Sequence, residues 1–122
     1  MIEYSKRQVR FQATDKCNPH NLQRIADRFK VGNSRACHFA LFYVYGIKGK
    51  ELKPIIRYEP LESRAIFLYF EPNQMTRAES LAVELGISFS ELCKRAIYLV
   101  SGLIENYELR MDDPKVKEFF PE

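Results

Sequence analysis

Residues 25–47 and 81–103 of this chain are two versions of one segment. IADRFKVGNSRACHFALFYVYGI lies without gaps on LAVELGISFSELCKRAIYLVSGL at a constant offset of 56. Six of the 23 positions are identical: Ala26 with Ala82, Ser34 with Ser90, Cys37 with Cys93, Ala40 with Ala96, Val44 with Val100 and Gly46 with Gly102. Others exchange one apolar residue for another, as Ile25 with Leu81, Phe29 with Leu85, Leu41 with Ile97 and Ile47 with Leu103. Self-similarity at a fixed offset is the mark of one supersecondary unit used twice, and it restricts the fold before any single element is assigned.

The matched positions recur at helical spacing, so what is repeated is a buried face. In the second copy Met75, Ala78, Leu81, Ala82 and Leu85 form an apolar stripe that Gly86 ends. Ser88, with Glu91 three residues on, is the start signal for another helix, whose inner face is Leu92, Cys93, Ala96, Ile97, Val100 and Leu103. The first copy follows the same plan: Leu22, Ile25, Ala26 and Phe29, then Gly32 and Asn33 as break and cap, then Ala36, Cys37, Ala40, Leu41 and Val44. An extended segment precedes each helix pair. Residues 8–13, QVRFQA, alternate polar and apolar as a half-buried strand does, and residues 64–70, RAIFLYF, are continuously β-prone.

These signals divide the chain into a strand-helix-helix repeat over 1–47, a linker over 48–63 containing Gly49, Pro54 and Pro60, a second repeat over 64–106, and a tail over 107–122. Pieces of this size are marginal alone, so the two repeats are expected to share one core. With 46% hydrophobic residues, 29% charged, five Gly and six Pro, the composition excludes disordered and collagen-like chains. No run approaches the roughly 18 apolar residues of a membrane span. The polar opening MIEYSKRQVRFQ and an odd number of cysteines, three, point to the cytoplasm. Charge is divided unevenly: residues 1–50 carry ten Lys and Arg against three Asp and Glu, net +7, whereas residues 51–122 carry nine against thirteen, net −4. Such asymmetry suits a nucleic-acid face on the basic half as well as it suits a merely solvated surface.

Strand, helix, short Gly-containing turn and helix, given twice and with GISFSELCKRAI opening the last helix, resembles the ribbon-helix-helix DNA-binding family of Arc and MetJ. The single-chain tandem form is similar to TraY-type relaxosome accessory proteins of conjugative plasmids. The resemblance implies a mainly α fold with a two-stranded antiparallel ribbon, built as an intramolecular pseudo-dimer whose ribbon enters the major groove of double-stranded DNA. With Val9, Phe11 and Ala13 directed to the core, Gln8, Arg10 and Gln12 form a row able to read bases, since Gln pairs with adenine and Arg with guanine. On the second strand Ile66, Leu68 and Phe70 are expected inside, leaving Ala65, Phe67 and Tyr69 outside to meet thymine methyl groups or a phosphate. The site is therefore expected to be asymmetric and read mainly by the first repeat. For this alignment the first repeat needs one more residue than the second between strand and helix.

In that family backbone amides at the start of the second helix hold a DNA phosphate, as unpaired N–H groups and a positive dipole end allow. The corresponding positions are Asn33, Ser34 and Arg35 in the first repeat and Ser88 and Phe89 in the second. Lys6, Arg7, Lys16 and Arg64 would add charge near the backbone. Further copies on the same DNA, or a relaxase or toxin, are the partners the resemblance suggests, and an alternative function is that of an antitoxin or protein-interaction module using the tail, with Phe119 and Phe120, or the apolar second strand. Rival chemistry is weak. Cys17, His20, Cys37 and His38 have the ligand types for zinc but not its spacing, and no nucleophile–base pair, phosphate loop or cofactor motif is present, so neither enzyme nor cofactor is expected. Phe39, Phe42, Tyr43 and Tyr45 fall at helical spacing, which suits core or interface better than a stacking platform.

Overall fold

The structure is a computed structural model that describes residues 3–14, 16–47, 52–55 and 62–121. Most of the expected linker, and with it Gly49 and Pro60, lies outside the described residues. In chain order the elements are β1 (Ser5–Gln12), α1 (Pro19–Phe29), α2 (Asn33–Ile47), β2 (Ser63–Phe70), α3 (Pro72–Leu85), α4 (Phe89–Glu105) and α5 (Pro114–Phe119). The chain is thus mainly helical with one two-stranded sheet, in which β1 and β2 run antiparallel.

Local chemistry sets the helix boundaries. The Asn18 side chain accepts from His20 N–H at 2.9 Å, and Pro19 occupies the first helical position of α1, where a missing N–H costs nothing. Lys30 ends α1 in the left-handed region (φ 56°), and Val31 N–H reaches back to Ala26 O at 3.0 Å. Gly86 does the same for α3 (φ 69°), with Ile87 N–H on Ala82 O at 3.0 Å. Gly32, not Asn33, flanks α2: its carbonyl accepts from Ala36 N–H at 3.0 Å, and Asn33 is already helical. Ser88 Oγ caps α4 by accepting from Glu91 N–H at 3.0 Å. The Glu91 carboxylate goes to Arg95 Nε at 2.7 Å and Ile55 N–H at 3.2 Å.

The core lies under the inner face of the ribbon. Val9, Phe11, Leu68 and Phe70 are buried there, against the stripes of α1 to α4 named above. Long α4 packs along both α1 and α2. Cys37 and Cys93, the matched pair, meet in this interior as free thiols, and the contact with Cys93 together with burial pushes the Cys37 thiol well up, so that it stays protonated. Where α1 meets α4, Ser101 Oγ donates to Asn21 Oδ1 at 3.2 Å and accepts from Arg24 Nη1 at 2.6 Å, which satisfies polar groups taken from water.

Two assignments near the end of β1 are corrected. Gln12 is buried (2% exposed) and Ala13 is exposed, the reverse of the alternation. The strand turns over at this point: Gln12 N–H donates to Cys17 O at 2.9 Å and Gln12 O accepts from Thr14 N–H at 2.8 Å. Once a chain leaves the pleat, period two no longer decides which way a side chain faces.

Candidate nucleic-acid interface

The outer face of the ribbon is set by the pleat. Lys6 pairs with Tyr69, Gln8 with Phe67 and Arg10 with Ala65, so these six residues lie in three cross-strand rows on the side away from the core. Lys6, Gln8 and Arg10 are exposed, and so are Phe67 (48%) and Tyr69 (46%). One strand is therefore cationic and amide-bearing, the other apolar and aromatic. The face is also organised within itself. With its amide carbonyl turned toward Arg10, Gln8 accepts from the guanidinium at 2.8 and 2.9 Å, and Arg10 Nη1 donates to Ser63 Oγ at 3.2 Å. Lys6 Nζ stands 4.5 Å from the centre of the Phe67 ring. Arg10 is thus held upright on the ribbon with donors to spare.

Gln12, expected in this row, is withdrawn from it by the turn and reads nothing while buried. Arg7 shares the parity of the core side, and its guanidinium lies 4.5 Å over the Phe89 ring. Arg64, paired with Phe11, has the same inward parity but is exposed.

The two helix N-termini expected to hold phosphate differ. That of α2 has no acidic residue in its first turn and lies beside β2: Ser34 Oγ accepts from Tyr69 N–H at 3.0 Å, and His38 Nε2–H donates to Tyr69 O at 2.7 Å. Both edge-facing backbone groups of an exposed ribbon residue are therefore held by α2. Nδ1 of His38 accepts from Gln74 Nε2 at 3.3 Å, while Gln74 Oε1 accepts from Glu71 N–H at 2.9 Å, so the ring is satisfied only when neutral. Burial lowers the His38 pKa from its ordinary value, the Tyr69 carbonyl opposes that, and Arg35 adds to it. At α4 the N-terminus is filled from within. Ser88 is spent on Glu91 N–H, Glu91 places a carboxylate in the first turn, and Phe89 is buried at 7% exposed. Physical chemistry thus favours an anion at α2 over one at α4.

Arg35 is committed to the tail. Its guanidinium lies 5.2 Å from the centres of both the Phe119 and Phe120 rings, and Nη2 reaches Phe119 O at 3.4 Å. The tail itself is folded onto the first helix pair. Phe120 stacks on Phe29 at 4.7 Å, Phe119 packs on Phe42 at 5.3 Å, and both approach the fully buried Phe39. Sequence reasoning missed this docking, and the only signal for it was an aromatic pair at the end of a tail whose partners on α2 were already visible.

Of the zinc candidates, Cys17 and Cys37 are buried and His38 is bonded to Tyr69 O. Among the described residues no three His, Cys, Asp or Glu side chains come together as a metal would require, and no helix is long and apolar enough to cross a membrane. No family model matches the chain, and neither does any curated protein or solved structure.

Proposed function

We propose that the chain binds double-stranded DNA sequence-specifically, with the outer face of β1 and β2 in the major groove and two ribbon-helix-helix repeats folded on each other as an intramolecular dimer. The observation that carries this reading is the ribbon itself, covered by helices on one face and bare on the other, where Lys6, Gln8 and Arg10 stand in a row. A two-stranded ribbon is of a size the major groove admits. The register supports the repeat reading. Allowing for the extra residue in the first repeat, Val9 corresponds to Ile66, and it is Ile66 that Val9 pairs with. Gln8 then faces the counterpart of Arg10, and Arg10 the counterpart of Gln8, which is the pairing a two-fold axis through the ribbon produces.

That axis would place Arg10 over one half-site and Phe67 over the other. Arg10 supplies a guanine contact worth about 1–3 kcal/mol of discrimination, whereas Phe67 and Tyr69 offer apolar contact to thymine methyl groups. The open N-terminus of α2 takes the flanking phosphate. Nothing in this mechanism breaks a bond: the protein acts by occupying or shaping its site, as a repressor or as an accessory factor in plasmid transfer. A second reading, a protein-interaction surface, draws on the exposed aromatic pair of β2 alone.

A salt titration on a duplex of mixed sequence tests the proposal. Retention at low salt that falls steeply as salt rises is expected, because phosphate contacts release counterions. The Arg10→Ala protein is expected to keep this weak binding. Absence of binding by the unmodified protein at low salt would retire DNA as the ligand.

A further inference from the structure

A concave surface adjoins the Tyr69 edge of the ribbon through His38. Between α2, the start of α3 and the tail is a cleft of about 180 Å³, with Phe42, Tyr45 and Phe119 as apolar walls and Asn73 and Arg77 as polar ones. A void of about 150 Å³ is enough for a benzene ring. No acidic residue lines the cleft, and no carboxylate pairs with Arg77 among the described residues. The exposed Arg77 guanidinium instead lies over the Tyr45 ring, 4.2 Å from its centre. Burial pushes the Tyr45 hydroxyl up against the opposing effect of Arg77, so the phenol is neutral and does not neutralise that charge.

The same junction is closed in the other half of the molecule. At the offset of 56, Arg77 stands where Asn21 does and Tyr45 where Ser101 does. Asn21 and Ser101 are buried and hydrogen-bonded at 3.2 Å, and α1 lies tightly along α4. The counterpart helices are less closely packed, α3 touching α2 only sparsely, and the hydrogen-bonded polar pair is replaced by a cation over an aromatic face. An opening at a place where the fold has a closed solution, furnished with a free guanidinium and three rings, has the character of a binding site.

We propose that this cleft binds a small planar aromatic carboxylate, its ring among Phe42, Tyr45 and Phe119 and its carboxylate on the Arg77 fork. A guanidinium matches a carboxylate bidentately, and aromatic walls favour a flat ring over an aliphatic chain. His38, which donates to the Tyr69 carbonyl, and Gln74, which donates to His38, also line the cleft, so occupancy is felt at the ribbon edge. The proposal goes beyond DNA binding and does not depend on it.

The probe is benzoate, followed by amide chemical shifts and melting temperature on the full chain. Saturable binding is expected, with shifts concentrated around residues 38, 45, 74 and 77. Benzyl alcohol, a ring without charge, and acetate, a charge without a ring, are each expected to bind at least tenfold more weakly. Arg77→Gln should weaken benzoate tenfold or more while leaving the circular dichroism spectrum unchanged, since Arg77 is exposed, and Arg77→Lys should recover part of the loss. No saturable binding, equal affinity for acetate and benzoate, or undiminished binding by the Arg77→Gln protein would each overturn the assignment.

Discussion

His38 shows how one side chain can tie a helix, a ribbon edge and a helix start together. Its neutral ring donates to Tyr69 O and accepts from Gln74, whose other amide atom is already taken by Glu71 N–H. Protonation would set two donors against each other at Nδ1, and Gln74 could not turn round without giving up its bond to Glu71. The folded-state pKa is lowered, mainly by burial, so the unfolded chain binds the proton more readily. The stabilisation from the neutral ring is therefore complete above the unfolded value of 6.5 and is lost as the pH falls from there through the lowered folded value. Urea midpoints measured at pH 7.5 and pH 5 should show the native protein losing more stability on acidification than the His38→Gln protein, in which an amide replaces the ring. Equal losses would remove His38 from the account. Arg10 is the other residue on which the proposed DNA reading turns: already propped by Gln8 and Ser63, it would meet a guanine edge with little side-chain entropy left to lose.

Among the elements, α5 is the one whose role was least visible beforehand. Only six residues long, it has too few turns for a periodic stripe to declare a buried face. Asp113 caps it at Lys115 N–H (2.8 Å), and the two phenylalanines at its end cover Phe29, Phe39 and Phe42. Phe120→Ala should lower stability by about 2 kcal/mol in urea unfolding, less than a fully buried Phe costs because the ring is only part-buried. It should also release Arg35 from one of its two rings. A loss under half a kcal/mol would mean the tail is loosely held. By contrast the four long helices were legible from their stripes, and the end of α3 and the start of α4 from Gly86 and Ser88. Their chemistry is local, needing nothing beyond three or four residues. The direction of Gln12 and the contact of Arg35 with the tail were missed because both are set at a distance: Gln12 by a turn closing on Cys17, Arg35 by a tail 84 residues further along the chain.

At the scale of the whole molecule, two strand-helix-helix halves share one interior, with α4 lying against α1 and α2 of the first half and the ribbon taking one strand from each. If each chain thereby completes its own fold, stability is independent of association. Unfolding midpoints should not move across a hundredfold range of protein concentration, whereas a fold completed between chains would melt lower on dilution. Charge follows the same division, with the basic half supplying β1 and the open N-terminus of α2. The aromatic strand β2 makes the two ends of the ribbon chemically unlike, so a palindromic target is not expected. On the proposed function this ribbon reads sequence through Arg10. That reading is tested most directly by selecting duplexes from a random pool with the native and Arg10→Ala proteins side by side and sequencing what each retains. One enriched, non-palindromic motif that the variant fails to enrich, while still retaining DNA weakly, is the predicted result. The same motif recovered by both proteins would contradict it.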